Sequence, residues 1–402
     1  MKVKLTLDEP VIVSQGPTVE EAGWGTHQFP AINKDDSGNI GVTFHRAKDS
    51  MEAYGTEPYL YVSKDNGNSW KQIPDELVHD TKTHFGTRLP NGDRLWVETR
   101  TPIPVDIAKL PEPILKKYTN LTYYAAEDIK NSLLEKRWRY LVLKNGETTP
   151  EYKYISQEFK GMNIWCTNGA LVPPFPFGHI RIAPDNTVWQ TTYMASRNPE
   201  NFGMSPYYNS HFFKFSQDFN SLSHSSWIPY IPDTRTFADS FLAEGFGEPD
   251  IVFMEDGSCI TVIRTGASTP SFLARSTDQC KTWSKPVIFD DKGVWPCLCK
   301  LNNKVTLASY GRPGFYIRAT SDPHGLTWDE PVEIITSKDR TCERNTKIDV
   351  YNHTSRMGTC SYSDMVALDD NTAMVVYSDF FVPDEYGVKR KTILTRKVHV
   401  SV

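Results

Sequence analysis

The sequence predicts an all-β fold that is built from repeated antiparallel sheets. A polar turn, Ser63–Trp70, follows an apolar run and recurs at Ser276–Trp283. A slightly longer version runs from Ser321 to Trp328, and a fainter copy runs from Ser216 to Trp227. In each copy an Asp can accept hydrogen bonds from the backbone ahead of it, and the Trp can pack under the turn. Recurrence of this turn predicts that one supersecondary unit recurs along the chain.

The length, composition and charge suit one large domain of this kind. The chain has 402 residues, of which 39% are hydrophobic and 12% aromatic, enough to fill cores between stacked sheets. The formal net charge of −5 provides no basic field, so neither nucleic acid nor a membrane surface is expected as a partner. No apolar run approaches the length of a membrane helix.

The N-terminus and the cysteines predict a cytoplasmic protein. Residues Met1–Leu5 alternate like a strand and carry no signal-peptide core, although a secreted chain without its signal would look the same. The seven cysteines show no paired spacing, so reduced thiols are expected, with Cys297 and Cys299 on one face of a strand. No HExxH or Cys-His spacing occurs, so no metal and no cofactor are expected.

Six segments of the chain each combine strand-like runs with polar turns. They cover residues 29–73, 87–154, 178–231, 248–289, 295–335 and 358–402. Residues 1–15 form a further strand, which is predicted to pair with the last segment and so remove an exposed edge. Residues 102–136 are predicted to be an insertion with helical character, because residues 125–134 are rich in helix formers.

The recurring turn resembles the Asp-box, or BNR, repeat of the sialidase (neuraminidase) superfamily. This resemblance extends over nearly the whole chain and implies a six-bladed β-propeller with one four-stranded sheet per blade. Residues 1–402 would then form a single domain whose N-terminal strand closes the last blade. Asp boxes also occur in propellers that are not sialidases, so the repeat predicts the fold rather than the reaction.

Four residues with catalytic chemistry fall at equivalent ends of predicted strands. Glu248 begins the fourth segment, and Arg264 lies at the far end of the same hairpin. Arg312 occupies the corresponding end of the fifth segment, and Tyr362 opens the sixth. Taken singly, such residues are more often surface ion pairs or core packing. In a ring of sheets the equivalent ends converge, so the four are predicted to meet at one opening.

The resemblance implies a role for each of these residues. Tyr362 matches the nucleophile of the family, and Glu248 matches the carboxylate that deprotonates it. Arg264 and Arg312 match two of three arginines whose planar forks bind the substrate carboxylate. We expect the Tyr362 hydroxyl to lie about 2.6–3.2 Å from the Glu248 carboxylate.

The acid/base of the family lies in a loop of the first blade, which here spans residues 45–52. Asp49 is the predicted acid/base, and Glu52 is the alternative. A charged hairpin loop can also be merely solvated, so this assignment depends on the resemblance. Further candidates for contacts in the pocket are Arg46, His27, His45 and His179.

The sequence departs from the family at the third arginine. Gln28 stands where that arginine is expected and is therefore the predicted substrate contact at this place. Ser378 stands where the glutamate that supports the arginine is expected. Because the arginine and its supporting glutamate are both absent, no buried carboxylate is left without a partner. The departure predicts weak or absent cleavage of ordinary sialosides.

These features together predict a retaining glycoside hydrolase that acts on a terminal acidic or modified sugar, with carbohydrate as its partner. Two alternatives stay open. A polysaccharide lyase on uronate-containing glycans would release an unsaturated product that absorbs in the ultraviolet. A non-catalytic sugar-binding propeller would bind without turnover, and Tyr362→Phe would leave that binding unchanged.

Overall fold

The computed structural model describes residues 2–50, 53–117, 121–157, 161–197, 204–230, 243–266, 269–312, 314–336 and 362–402. Within these ranges thirty strands dominate the secondary structure, beside one short α-helix. None of the helices found there has the length and apolarity needed to cross a membrane. The strands form antiparallel sheets whose order along the chain follows the six predicted segments.

The two N-terminal strands join the last sheet of the chain. β1 (Lys4–Leu7) and β2 (Val11–Gln15) both pair antiparallel with the final strand, in a register that sets Leu5 opposite Val400. The predicted pairing of the N-terminus with the last segment is therefore confirmed. The pairing covers the edge that the final strand would otherwise expose.

The first sheet is a four-stranded antiparallel meander, and a helix follows it. Its strands are β3 (Gln28–Lys34), β4 (Ile40–His45), β5 (Tyr59–Ser63) and β6 (Lys71–Gln72). The helix α1 (Asp75–Thr83) begins after Pro74 and has two acidic residues in its first turn, where the helix dipole favours them. α1 was not predicted from the sequence, although proline followed by acidic residues is a helix-start signal.

Residues 87–172 form nine strands that divide between two sheets. In chain order they are β7 (Thr87–Arg88), β8 (Arg94–Glu98), β9 (Ile103–Pro104), β10 (Leu115–Lys117), β11 (Leu121–Ala125), β12 (Trp138–Leu143), β13 (Glu151–Gln157), β14 (Asn163–Thr167) and β15 (Ala170–Val172). β7, β8, β12 and β13 make the second four-stranded sheet. The other five make an accessory sheet in the order β10-β11-β14-β15-β9.

The accessory sheet shows that the predicted helical character of residues 102–136 is wrong. In the described part of that segment, helical residues are limited to two 3-10 turns, Ile107–Lys109 and Ala126–Asp128. β11 instead pairs with β14, which sets Tyr123 opposite Trp165. Tyrosine and threonine suit a pleated surface, and this pairing outweighs the helix formers that follow β11 in the sequence.

The remaining strands form four further antiparallel groups. The third sheet has β16 (Ile180–Ile182), β17 (Val188–Arg197), β18 (Met204–Phe215) and β19 (Ser221–Ile228), and the fourth has β20 (Ala243–Phe253), β21 (Cys259–Gly266), β22 (Ser271–Ser276) and β23 (Val287–Asp290). The fifth has β24 (Val294–Lys300), β25 (Thr306–Gly311), β26 (Phe315–Thr320) and β27 (Val332–Ile335), and the last has β28 (Ser363–Ala367), β29 (Thr372–Pro383) and β30 (Lys389–Ser401). Short parallel bridges connect the second, third and fourth sheets.

The recurring polar turns connect the third and fourth strands of the first, fourth and fifth sheets. In each turn an Asp side chain accepts hydrogen bonds of 2.9 Å and 2.6 Å from the backbone N–H and the hydroxyl of one later residue. The pairs are Asp65 with Ser69, Asp278 with Thr282 and Asp322 with Thr327. Hydrogen bonds from Ser69 and Ser63 lower the pKa of Asp65 to about 2, because they stabilise its carboxylate.

The Trp that ends each of these turns packs between two sheets. Trp70 lies against the core between the last and first sheets, Trp283 against the core between the third and fourth, and Trp328 against the core between the fourth and fifth. All three are half-buried, less than the largely buried state that their packing role suggests. Their turns hold the outer strands of neighbouring sheets together.

Apolar clusters pack each sheet from the second to the fifth on the next one and the last sheet on the first, and a further cluster packs the first sheet on α1 and on Phe85, which precedes the second sheet. The contacts include Leu60 with Phe85, Trp138 with Phe213, Trp189 with Phe253, Phe289 with Tyr310, Phe315 with Tyr377, and Phe44 with Val376. Burial of these large side chains supplies most of the driving force that holds sheet on sheet.

A histidine pair lies inside the third sheet, in which His211 is fully buried and His224 is half-buried. His211 Nδ1 and His224 Nε2 are 3.2 Å apart, and Ser196 Oγ lies 3.2 Å from the other ring nitrogen of His211. Burial lowers the pKa of His224 to about 4 and lowers the pKa of His211 well below its ordinary value. Both rings are therefore neutral at neutral pH, where one ring donates a hydrogen bond to the other.

Acidification is expected to destabilise the protein through this pair. The folded-state pKa of His224 lies below its ordinary value of 6.5, so its contribution is present above pH 6.5 and is lost as the pH falls towards 4. Such a shift is worth up to about 3 kcal/mol of the free energy of unfolding. Urea denaturation across this pH range should show a smaller loss in His224→Gln than in the wild type. Equal losses in the two proteins would contradict this expectation.

Candidate active site

A β-bulge recurs in the first strand of three sheets. The pairing register shifts at this point in the first, fourth and fifth sheets. The residue inside each shift has a positive φ and precedes a proline. These residues are Phe29 (φ 54°), Glu248 (φ 48°) and Trp295 (φ 46°). A positive φ is costly for a residue with a Cβ, and proline tolerates a bulge because it lacks the N–H that a ladder needs.

The three bulges surround Tyr362, which immediately precedes the first strand of the last sheet. The Phe29 ring meets the Tyr362 ring edge-on at 4.4 Å, and the Trp295 ring lies 5.4 Å away. The Tyr362 hydroxyl donates a hydrogen bond of 3.1 Å to Oε1 of Glu248. This distance falls in the range that the sequence analysis predicted. The other carboxylate oxygen of Glu248 accepts from the backbone N–H of Trp295 at 2.9 Å.

Arg264 holds both members of the Tyr362–Glu248 pair. Its Nη1 donates to the Glu248 carboxylate and, at 3.2 Å, to the Tyr362 hydroxyl oxygen. Its Nη2 donates to both oxygens of Glu244 at 3.2 and 3.3 Å, and its Nε donates to the carbonyl of Gly266 at 3.3 Å. All three guanidinium nitrogens of Arg264 therefore donate hydrogen bonds to groups of the protein itself.

The environment of Tyr362 keeps its phenol protonated at neutral pH. Burial raises the pKa of Tyr362 above its ordinary value and the Glu248 carboxylate raises it further, whereas Arg264 and Arg312 lower it. Arg312 acts from the face of the ring, since its guanidinium carbon lies 5.4 Å from the centre of the Tyr362 ring. Tyr362 can therefore act as a nucleophile only when a base accepts its proton, and Glu248 is in contact with that proton.

A layer of charged groups lies beside the bulges, in which Asp250 and Asp364 are buried two residues after Glu248 and Tyr362, whereas Arg181 and His179 are half-buried. Arg181 donates to both carboxylate oxygens of Asp250, through Nε at 2.9 Å and through Nη2. The two ring nitrogens of His179 lie 3.5 Å from the Asp250 carboxylate and 3.4 Å from the Asp364 carboxylate. Cys297 Sγ completes this buried charge layer, with a contact of 3.1 Å to Asp364.

The buried charge layer is balanced between two cations and two carboxylates. Burial lowers the pKa of His179, but the Asp250 and Asp364 carboxylates raise it to about 9. Burial likewise raises the pKa of Asp250, but Arg181 and His179 hold it well below its ordinary value. The donor atoms of His179, Asp250 and Cys297 lie within 4.8 Å of one another, as metal ligands do. Because Arg181 and the charged His179 already neutralise the carboxylates, we assign no metal to this group.

A cavity of about 400 Å³ opens onto the Tyr362–Glu248 pair. Its size lies in the range of small-molecule sites. The Phe, Tyr and Trp rings among its described lining residues are Phe29, Tyr54, Trp96, Phe175, Phe177, Tyr193, Trp295 and Tyr362. Of these rings only Tyr362 was predicted from the sequence; the others come from four sheets and two connecting loops.

The loop between β4 and β5 brings Asp49 and Arg46 to this cavity. Asp49 is exposed, and its backbone N–H donates to the carbonyl of Trp24 at 2.8 Å. Gly25 permits this approach, since its φ is +96° and a Cβ there would lie 2.0 Å from the Asp49 nitrogen. The Arg46 guanidinium is engaged by Asp75, with one contact of 2.7 Å.

Two predicted substrate contacts have buried side chains. Gln28 is fully buried, and its Oε1 accepts a hydrogen bond of 3.1 Å from Lys391. His27 is 5% exposed, its ring packs 4.6 Å from that of Phe44, and burial lowers its pKa to about 4. Neither residue is among the described residues that line the cavity, whereas Phe29 is, so a direct contact of Gln28 or His27 with a substrate stays a prediction.

The two predicted anion-binding arginines also differ from expectation. Among the described residues that line the cavity, neither Arg264 nor Arg312 is present. Arg264 is engaged by Glu244, Glu248 and Tyr362, as given above, and Arg312 is 4% exposed. The expectation that both guanidinium groups open into the cavity therefore stays a prediction, which the described lining residues do not support. The alternative acid/base Glu52 lies outside the described residues, whereas His45 and His179 do line the cavity.

Comparison with known proteins identifies relatives by fold only. No family model matches the sequence, and no curated protein matches it. A Dyadobacter fermentans protein of unknown function is similar over 99% of both chains, with a TM-score of 0.67 and 16% identity. The NanB sialidase of Streptococcus pneumoniae (TM-score 0.52, 12% identity) matches over 98% of this chain and 70% of its own.

An α-L-arabinanase of Penicillium chrysogenum is also similar, with a TM-score of 0.51 and 12% identity over 97% of this chain and 98% of its own. The sialidase and the arabinanase are glycosidases built on propellers. The chain is thus mostly β and shares the fold of propeller glycosidases. At these identities the likeness establishes the fold and not the reaction.

The contacts of Asp250 in the buried charge layer are expected to contribute to the free energy of unfolding. Asp250→Asn leaves Arg181 and His179 without their shared carboxylate, which should lower the free energy of unfolding by about 3 kcal/mol. The same substitution should lower the pKa of His179 from about 9. Urea denaturation and NMR titration of the His179 ring measure these two effects.

The matched control is Asp8→Asn, since Asp8 forms an exposed pair with His399. It should change the free energy of unfolding by less than about 1 kcal/mol. A loss in Asp250→Asn as small as that of the control would show that the layer contributes little.

Proposed function

We propose that the protein is a retaining glycoside hydrolase of terminal sugars, built as a single six-bladed β-propeller that the N-terminal strands close. The observation that carries the proposal is the contact between the Tyr362 hydroxyl and the Glu248 carboxylate, which Arg264 holds at an aromatic cavity. The fold likeness to propeller glycosidases supports carbohydrate as the partner. The sheet-to-sheet packing, including the last sheet on the first, supports ring closure.

In the proposed first step, Tyr362 attacks the anomeric carbon. Glu248 accepts the phenolic proton as the bond between Tyr362 oxygen and carbon forms. Asp49 protonates the glycosidic oxygen as its bond to the anomeric carbon breaks, and the leaving group departs as an alcohol. Arg264 stabilises the developing phenolate through its contact of 3.2 Å with the Tyr362 oxygen.

In the second step, water releases the sugar. Asp49, now a carboxylate, takes a proton from a water molecule that attacks the anomeric carbon. The bond to Tyr362 breaks, and the proton held by Glu248 returns to the phenolate, so the enzyme regains its starting state. Two displacements at one carbon retain the anomeric configuration.

The engagement of Arg264 favours hydrolysis over a lyase reaction. A lyase on uronates needs a cation that neutralises the substrate carboxylate before the neighbouring proton is removed. Arg264 instead contacts Glu244, Glu248 and Tyr362. Arg264 is therefore placed to stabilise the Tyr362–Glu248 pair rather than a substrate carboxylate. The products of turnover are expected to lack the ultraviolet absorption of unsaturated uronates.

A panel of 4-nitrophenyl glycosides tests the proposal, with a sialoside included. We expect hydrolysis of at least one sugar and weak or absent hydrolysis of the sialoside, because Gln28 is buried and Arg264 is engaged. NMR of the initial product should show retention. Efficient turnover of the sialoside would contradict the expected specificity, and failure of the whole panel would count against a hydrolase.

Removing one oxygen tests the proposed nucleophile. Tyr362→Phe should reduce kcat at least about a thousandfold, because the attacking atom is lost. Its thermal unfolding should stay close to that of the wild type, because the ring still packs against Phe29 and Trp295. Tyr386→Phe is the matched control, since Tyr386 is 81% exposed. A Tyr362→Phe enzyme with wild-type kcat would exclude Tyr362 as the nucleophile.

A further inference from the structure

Four aromatic rings form a continuous wall along the cavity. Tyr54 meets Phe175 edge-on at 5.1 Å, Phe175 lies 4.3 Å from Phe177, and Phe177 lies 4.9 Å from Tyr193. All four residues line the cavity, and we call them the aromatic shelf. Phe177, Tyr54 and Tyr193 are only half-buried, so their rings have area left for a ligand.

The accessory sheet supports the shelf from behind. Phe175 and Phe177 follow β15, and Trp165 of β14 packs 5.3 Å from Phe177. Trp165 in turn meets Tyr123 of β11 edge-on at 6.0 Å. The accessory sheet, which lies outside the six repeated ones, therefore supports the Phe177 side of the shelf, whereas Tyr54 and Tyr193 come from the first and third sheets.

The two ends of the shelf lie at the two catalytic carboxylates. At one end, a Cβ built on Gly247, the residue before Glu248, would lie 3.4 Å from the Tyr193 ring. At the other end, Tyr54 belongs to the same loop as Asp49, and the Asp49 charge contributes to a raised pKa of Tyr54, after burial. The glycosidic bond has to lie between the nucleophile and the acid, so its leaving group extends along the Asp49 end of the shelf.

We propose that the aromatic shelf is the leaving-group subsite and that it accepts an aromatic aglycone. This proposal rests on the proposed function, since it takes Asp49 as the acid. A second sugar ring would need several hydrogen-bonding partners, whereas the shelf presents ring surfaces with hydroxyls only at Tyr54 and Tyr193. Rings of this kind bind a planar aromatic group by stacked and edge-on contacts.

Matched glycosides test the subsite. Benzyl and methyl glycosides of the sugar found active release alcohols of nearly equal acidity, so they differ in contacts rather than in leaving-group chemistry. The ratio of kcat/KM for benzyl over methyl should be at least about tenfold in the wild type and should fall towards one in Phe177→Ala. Phe177→Leu, which keeps most of the volume, should give an intermediate ratio and a wild-type Tm.

The control variant is Tyr386→Ala, which removes an exposed ring elsewhere on the surface and should leave the ratio unchanged. A ratio near one in the wild type, or a ratio that Phe177→Ala leaves unchanged, would overturn the subsite while hydrolysis itself stands. A strong preference for a disaccharide over the benzyl glycoside would overturn the aromatic assignment in the same way.

Direct binding separates this proposal from the proposed function. Free 4-methylumbelliferone, measured by its fluorescence, should bind the wild type at least about tenfold more tightly than Phe177→Ala, and Tyr386→Ala should bind like the wild type. Equal affinities in all three proteins would overturn the subsite. Binding of this probe without hydrolysis of any glycoside would overturn the leaving-group assignment together with the hydrolase, and would leave a site for aromatic ligands.

Discussion

The ion pair between Arg181 and Asp250 is the contact on which the rest of the site depends. Asp250 also accepts from the backbone of Leu298 at 2.7 Å, and Arg181 donates to the carbonyl of the same residue at 3.0 Å. His179 extends the layer to Asp364, which accepts at 3.0 Å from a backbone N–H in the first strand of the first sheet. One network of charges thus joins the first strands of five sheets, where a mispaired carboxylate would be costly.

Repeated β-bulges beside this network place the side chains that form the candidate site. Each bulged residue has a strained φ, and the strain persists because the charge layer and the paired strands on either side fix the backbone. Three sheets use the same device with different side chains. At Phe29 and Trp295 the bulge supplies rings that pack against Tyr362, and at Glu248 it supplies the carboxylate that we propose as the base. Repetition of one backbone geometry therefore allows different chemistry at each position.

Arg264 contacts groups of the protein where the sequence predicted contact with a substrate carboxylate. The sequence placed Arg264 and Arg312 at the correct strand ends, but it could not show which groups they face. Glu244, which the sequence analysis did not consider, occupies one side of Arg264, and the Tyr362–Glu248 pair occupies the other. Arg264 thereby supports the proposed catalytic pair instead of binding a substrate carboxylate. Contacts between the cavity and a ligand are then left largely to the aromatic residues of its walls.

The sequence by itself determined the repeated turns and the six strand segments, because turn chemistry and regular spacing are local properties of the chain, and the resemblance to a known superfamily added the expected contact between Tyr362 and Glu248. The dipeptides Phe29-Pro30, Glu248-Pro249 and Trp295-Pro296 were a visible signal of the bulges that it left unused. Only the tertiary structure decided that Gln28 and His27 turn inward, that residues 121–125 pair as a strand, and that distant rings form one shelf. Those outcomes depend on strand register and on contacts between residues far apart in sequence, which composition and spacing do not specify.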